Sequence, residues 1–316
     1  MDFRSLQYFV TVAEELNFTH AAEKLTISQP PLSMQIKQLE DDLGAQLFIR
    51  GKRKLQLTEA GRAFYRRATQ ILSLSQDARD EIRSLGNELS GRVRLGIVAG
   101  RAPYFTGRWI AGFHEEYPLV TFSVWNGSSD DVIDRLYKGL IDLAVVAAPY
   151  DEEHLEGITV GSTPWTAIIP ADHELAKKEG NSITLQDLAK VPLIVPERPS
   201  RLDAIRRWFM SEKLEPQIFC TLSSYIDAVA LVEQGAGVCI FPKTTYTPNP
   251  YIVTKVIDAP VRVAKYVLVW PKAQQPHGLN EAFIDYVRDV MEEENYRSIA
   301  SLNGESEPEY KDAELL

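Results

Sequence analysis

Cysteine is nearly absent from this chain: 316 residues hold two, Cys220 and Cys239. That excludes a disulfide-stapled secreted scaffold. Neither thiol has a second thiol or a histidine at metal-ligand spacing, so no metal site is expected. A reduced, cytoplasmic setting fits best. Cys239 lies inside the apolar run Val238–Phe241 and is expected to be buried, with redox sensing by the pair as the alternative. Long hydrophobic runs are missing too. The chain opens on Met1-Asp2 with no apolar leader, and no stretch reaches bilayer-spanning length, so neither export nor membrane insertion is expected. Histidine is sparse, five residues scattered along the chain, and neither a Gly-x-Ser-x-Gly elbow nor a His-Glu-x-x-His pair occurs. Gly96-Ile97-Val98-Ala99-Gly100 lacks the glycine spacing of a dinucleotide loop. No catalytic residue and no cofactor is therefore expected.

What the chain does have begins at residues 18–39, FTHAAEKLTISQPPLSMQIKQL. Phe18, Ala21, Ala22 and Leu25 recur at helical spacing, Ile27 and Ser28 break the run, and Leu32, Ile36 and Leu39 resume it. The pattern predicts two short helices joined by a tight turn. Ser28 is placed as N-cap, and Pro30 and Pro31 fit a first turn whose N–H groups have no helical acceptor. The outward face of the second helix carries Gln29, Ser33, Met34, Gln35, Lys37 and Gln38. Amides and hydroxyls there suit base edges in a major groove, and Lys37 suits a phosphate. The alternative is an ordinary helical hairpin.

The next segment, LFIRGKRKLQLT from Leu47 to Thr58, alternates apolar and polar residues about a basic centre, as a β-hairpin wing would. From 50 to 67 the charges are Arg50, Lys52, Arg53, Lys54, Arg62, Arg66 and Arg67 against Glu59, a local +6 in a chain of net charge −10. A polyanion responds to the local field, whereas a bland reading makes this a solvated basic face. Thr58 then caps a helix expected over about 59–86. Its residues Phe64, Ala68, Ile71, Ser75, Ala78, Ile82, Leu85 and Leu89 alternate spacings of four and three. So narrow a stripe calls for a partner, either its own domain or, preferably, a second copy. Gly86 and Gly91 mark a hinge.

With these pieces in order, the chain resembles the LysR-type bacterial transcriptional regulators. The resemblance is carried by Leu6-Gln7-Tyr8-Phe9, Ala13-Glu14, Phe18-Thr19-His20-Ala21-Ala22, Ser28-Gln29-Pro30-Pro31-Leu32-Ser33, Gln35-Ile36, Leu39-Glu40, Leu43-Gly44, Leu47-Phe48 and Leu57-Thr58-Glu59-Ala60-Gly61. It implies a bacterial regulator that binds double-stranded promoter DNA as a dimer or tetramer and answers to a small-molecule effector. RNA polymerase would be a further partner if it activates. Gln29, Pro30, Pro31, Ser33, Met34, Gln35, Lys37, Arg50, Lys52 and Arg53 would contact DNA. Phe64, Ala68, Ile71, Ala78, Ile82 and Leu85 would pair two chains. Met34 stands where the family often has arginine, which bears on the DNA sequence read.

The remainder alternates strand-like and helical runs: Val93–Val98, Phe105–Glu116, Val120–Trp125, Ser129–Lys138 and Leu143–Ala148. That order predicts a parallel α/β sheet with its ligand outside the strand ends. The fold class expected is therefore α/β, with an N-terminal winged helix-turn-helix over 1–58 and a linker helix over 59–90. The resemblance adds a two-lobed Rossmann-like effector domain, similar to type 2 periplasmic binding proteins, over 91–294. Lobe I would take 92–161 and 268–290, and lobe II 162–267. Expected effector contacts are Gly100, Arg101, Ala102, Ser128, Ser129, Ala147, Pro149, Arg198, Ser200 and Tyr225. Gly100 lacks a hydroxyl often found at its place, and Ala147 stands where some members put arginine. Arg101, Arg198 and Arg201 are left to attract an organic anion, each with a surface ion pair as its plainer role. Tyr104, Trp125, Tyr150 and Tyr225 offer an aromatic wall, or simply core. An α/β enzyme or solute-binding protein with a helical extension is the competing class. Residues 292–316 carry eight acidic against two basic side chains and read as a disordered acidic tail, a solubility aid or a competitor for the basic wing.

Overall fold

Helix α1 (Phe3–Glu15) starts the chain in a computed structural model that describes residues 1–50, 55–84, 89–244, 250–258, 260–300 and 314–315. Side chains are described there except at positions 50, 76–77, 80–84, 293–300 and 314–315. The α1 start is a reciprocal box: Ser5 N–H donates to the Asp2 carboxylate at 2.8 Å and Asp2 N–H to Ser5 Oγ at 2.9 Å. Asn17 caps α2 (Phe18–Lys24) by accepting from the N–H groups of Thr19 and His20. After the turn comes α3 (Gln29–Leu43). Ser28 sits at its N-cap position, but its side chain makes no capping hydrogen bond; Pro30 in the first turn supplies the preorganised φ instead.

Strands β1 (Phe48–Arg50) and β2 (Leu55–Leu57) pair antiparallel with Phe48 opposite Leu57. The wing is pinned to α3 by Glu40, whose carboxylate accepts from Leu47 N–H at 2.7 Å and Phe48 N–H at 3.1 Å. Thr58 then caps α4 (Glu59–Ser84), accepting from Gly61 N–H at 2.8 Å while its hydroxyl donates to Gln46 O. Gly61 is required there, because a Cβ would lie 2.1 Å from Leu47 O. Leu32, Ile36 and Leu39 are fully buried with Phe9, whose ring meets Phe64 at 4.9 Å and Phe48 at 5.4 Å. Each such side chain contributes about 1.5–3 kcal/mol relative to exposure.

The larger unit opens with β3 (Gly91–Val98), α5 (Ala102–Glu116), β4 (Val120–Gly127), α6 (Ser129–Tyr137) and β5 (Leu143–Ala147). The long β6 (Leu155–Pro170) leads to α7 (Glu174–Lys177), β7 (Ser182–Thr184), α8 (Leu185–Leu188), β8 (Leu193–Pro196) and α9 (Pro199–Ser211). Then come β9 (Ile218–Leu222), α10 (Tyr225–Glu233), β10 (Val238–Pro242), β11 (Ile252–Asp258), β12 (Arg262–Pro271), α11 (Leu279–Ala300) and β13 (Glu314–Leu315). The strand order β4-β3-β5-β12-β6-β10-β8-β9 corrects the expectation of a parallel sheet. Within each half the βαβ strands run parallel, β3 beside β4 and β5, β8 beside β9 and β10. Joining the halves are β6 and β12, antiparallel to each other, with β12 antiparallel to β5 and β6 antiparallel to β10 and β11. Their length carries them from one half into the other: Leu155–Pro164 pairs with β12, and Trp165–Pro170 with β10 and β11. Two lobes result, with a cleft where the chain crosses. The end of the acidic segment, β13, lies beside Arg262 and Val263 of β12 rather than beside the wing.

Helix α4 is tied to the first lobe. Gln70 Nε2 donates to Tyr137 O at 3.3 Å, and Arg94 of β3 donates to Ser73 Oγ while also pairing with Asp142.

Candidate nucleic-acid interface and ligand cleft

The α3 surface separates as its spacing predicts. Gln29, Pro30, Pro31, Met34, Gln35, Lys37 and Gln38 are exposed and Ser33 is half-buried, opposite the buried Leu32–Ile36–Leu39 stripe. Gln38 donates to Asp42 at 3.0 Å, which takes it out of the set of unengaged amides, whereas the Gln35 side chain makes no hydrogen bond among the described residues. Backbone of the wing is described as far as Arg50; Lys52 and Arg53, and the Arg50 side chain, lie outside the described residues. On α4, Phe64 packs against the domain core and Ala68 is fully buried in it, so Ala68 leaves no surface for a second chain. Ile71 and Ala78 face outward, joined by Leu74 at 63% exposure. Leu85 and the Ile82 side chain lie outside the described residues.

At the cleft, the β3 end turns through Gly100 at φ +98, where a Cβ would meet the Tyr266 hydroxyl at 2.2 Å. That hydroxyl accepts from Arg101 N–H at 3.2 Å. Burial pushes the Tyr266 pKa up to about 12, so the phenol is neutral. Ala102 is fully buried at the start of α5. Ser128 caps α6, accepting from Asp131 N–H and donating to its carboxylate; Ser129 is buried beside it. Ala147 ends β5, followed by the cis peptide Ala148–Pro149, with Pro149 exposed.

From the opposite lobe, Arg198 reaches across. Its Nη2 and Nε meet both Asp130 carboxylate oxygens at 2.6 and 3.1 Å. Three residues on, Arg201 is buried, donates to Ala148 O at 2.5 Å and lies 5.9 Å from the Trp165 ring centroid. Burial, then the neighbouring Arg198, lowers its pKa to about 10, which still leaves it charged at neutral pH. Ser200 is exposed, and Tyr225 packs on Phe241 while accepting from Thr244 Oγ at 3.1 Å. The aromatic wall does not form as one surface. Tyr104 lies against Phe105, Tyr225 against Phe241, and Trp125 under the Arg135 guanidinium at 4.2 Å.

Cys239 is fully buried, and burial pushes its thiol pKa up. Cys220 and Cys239 both sit opposite Ile194, on strands either side of β8. Two inter-strand spacings separate them by roughly 9.6 Å, beyond the ~7 Å reach of a disulfide. Among the described residues no cluster of three or more His, Cys, Asp or Glu side chains is placed to hold a metal ion, and no helix is long and apolar enough to cross a membrane.

Two family models cover the chain. Residues 3–62 match the bacterial regulatory helix-turn-helix protein of the lysR family, and residues 86–292 match the LysR substrate binding domain. The chain belongs to the LysR family of transcriptional regulators. It is 33% identical to the HTH-type transcriptional regulator BsdA of Bacillus subtilis strain 168, over 77% of this chain and 84% of that one. It is 34% identical to YnfL, an uncharacterized HTH-type transcriptional regulator of Escherichia coli strain K12, over 86% and 93%. Its backbone matches that of CbnR, a LysR family transcriptional regulator, with TM-score 0.73 at 26% identity over 92% of this chain and 99% of CbnR. CbnR in complex with its target DNA matches with TM-score 0.71 at the same identity. The chain is thus a DNA-binding regulator of transcription with an effector-binding domain; its relatives are regulators, not enzymes.

Sequence reasoning about this LysR-type regulator missed Tyr266, Trp165 and the Arg94–Asp142–Ser73 junction. Tyr266 lies mid-strand in a run that reads only as core, and its polar handle becomes visible once β12 is seen to pass under Gly100.

Proposed function

We propose that this regulator binds promoter DNA through the exposed face of α3, with Gln29, Pro30, Pro31, Ser33, Met34, Gln35 and Lys37 in the major groove and Arg50, Lys52 and Arg53 on phosphates. Two chains pair along α4 through Ile71, Ala78 and the residues beyond, with Leu74 added, and two pairs form a tetramer. Such an assembly bends DNA by an amount its effector changes, and contacts RNA polymerase where it activates. The site of action is the cytoplasm, where the DNA is.

The effector is a small organic anion seated between the lobes, among Gly100, Arg101, Ala102, Ser128 and Ser129 on one side and Arg198 and Ser200 on the other; Ala147, Pro149 and Tyr225 border it. The observation supporting an anion is the Arg198–Asp130 fork, in which a carboxylate of one lobe is held by an arginine of the other. A bidentate carboxylate of a ligand satisfies the same guanidinium, freeing Asp130 and changing how the lobes are held. A thermal-shift screen of the full chain against organic acids, sugars and amino acids tests this, since a ligand of the native state raises its melting temperature. The expected result is a dose-dependent rise with one class of acid that Arg198→Ala removes. A rise with sugars alone, or one with acids that Arg198→Ala leaves intact, refutes the anion site.

A further inference from the structure

Glu40 lies in the last turn of α3, on one helix with Gln35 and Lys37. Its half-buried carboxylate accepts, through a single oxygen, from two consecutive N–H groups, those of Leu47 at 2.7 Å and Phe48 at 3.1 Å. Bonds to a charged acceptor are roughly twice as strong as neutral ones. Among the described residues Glu40 is the only α3 side chain that hydrogen-bonds to the wing. The opposite arm is held from α4, where Arg62 Nη1 donates to Leu57 O at 2.9 Å. Ending the helix does not need the carboxylate. Gly44 at φ +64 and the Ala45 N–H, which donates to the Glu40 backbone oxygen at 3.1 Å, do that through the main chain. Nor does the core need it, since Leu32, Ile36 and Leu39 seat α3 by themselves. The carboxylate therefore serves the wing, and Arg50, Lys52 and Arg53 follow within five residues of Phe48.

We propose that Glu40 is a positioning residue for DNA binding. It fixes the root of the wing to the reading helix, so that one docking brings Gln35 to a base edge and the wing cations to phosphates. The inference rests on the phosphate role proposed above for Arg53. Phosphate contacts release counterions and set register, while base contacts carry the sequence. A wing loosened at its root loses the first kind and keeps the second. Glu40 touches no DNA in this role. As an anion it is repelled by phosphates, so its contribution to binding comes only through the two N–H groups it holds.

The test measures the affinity of the full chain, over a series of salt concentrations, for an operator duplex that the parent chain selects from a random pool. Removing an anion from beside a polyanion by itself tightens binding, so the proposal predicts the sign opposite to bare electrostatics. Glu40→Ala is expected to weaken binding about tenfold or more and to lower the slope of log affinity against log salt by about one or more, with base preferences unchanged. Glu40→Gln keeps an acceptor oxygen at the same reach, and is expected to hold the parent's slope and to bind within about threefold of it or tighter. In an Arg53→Ala background the Glu40→Ala loss is smaller by about threefold or more, because the two residues act through shared contacts. Circular dichroism checks that each variant is folded. Should Glu40→Ala not fold, Glu40→Asp, one methylene short of the two N–H groups, is expected to show the same losses. A variant that keeps the parent's slope, binds as tightly as the parent, or loses as much without Arg53 as with it overturns the proposal. Where Arg53→Ala lowers the slope and Glu40→Ala does not, only the role of Glu40 fails. Where Arg53→Ala itself keeps the parent's slope, the phosphate role of the wing fails and the proposal with it.

Discussion

Adjacent residues of α3 have opposite tasks, and substituting each alone separates them. Ile36 is fully buried and Gln35 exposed. Ile36→Ala is expected to cost about 2–5 kcal/mol of stability through transfer and cavity terms. Gln35→Ala is expected to leave denaturant midpoints within about 0.5 kcal/mol of the parent while losing about 1–3 kcal/mol of discrimination at particular base pairs. Arg53→Ala supplies the control, weakening all sequences alike and lowering the slope of log affinity against log salt by about one. Chemical denaturation beside binding to operator variants decides the matter. If Gln35→Ala lowered all affinities uniformly, α3 would not be reading bases through that amide.

Between the wing and the linker helix, the element scale depends on a single glycine. Gly61 allows α4 to start against the Leu47 carbonyl, and Thr58 fastens the same corner with bonds to Gly61 N–H and Gln46 O. Gly61→Ala is expected to destabilise by about 1–3 kcal/mol, the usual range for forcing a methyl into a packed site. A melting curve showing no loss would mean that the wing moves aside freely. The helical elements were legible in the sequence because burial follows their 3.6-residue period: Leu32, Ile36 and Leu39 inside, Gln35 and Lys37 outside. The Thr58-Glu59-Ala60-Gly61 start was legible for the same local reasons. The antiparallel crossing of β6 and β12 was not, since the crossing half of β6, Leu155–Pro164, mixes apolar residues with glycines and polar ones, and its partners lie about a hundred residues away. The cleft was legible by position, its arginines included. Arg201's bond to Ala148 O and the Tyr266 hydroxyl depend on a chain reversal that no local pattern encodes.

Over the whole molecule, two buried acids weaken the native state at alkaline pH, beside Tyr137, which burial and its bond to Asp151 also raise to about 12. Burial raises Tyr266 from 10.0 to about 12 and raises Cys239 above its ordinary 9.0. Above pH 9 the unfolded chain releases protons that the native chain keeps, so stability falls as pH rises through each group's folded pKa. Melting temperature is expected to decline from about pH 9 upward, with Tyr266→Phe flattening the part between pH 10 and 12. A Tyr266→Phe profile parallel to the parent's over that interval would exclude the phenol as a source.

The attachment of α4 at Gln70, the tie to the first lobe nearest the wing, also makes the helix a lever. From Gln70 back to Glu59 is 11 residues, about 16.5 Å at 1.5 Å each. A tilt of about 12° there would sweep the start of the helix through roughly 3.4 Å, the rise of one base step. On this geometry a motion too small to disturb either lobe's core would be geared up to a whole position of register on bound DNA.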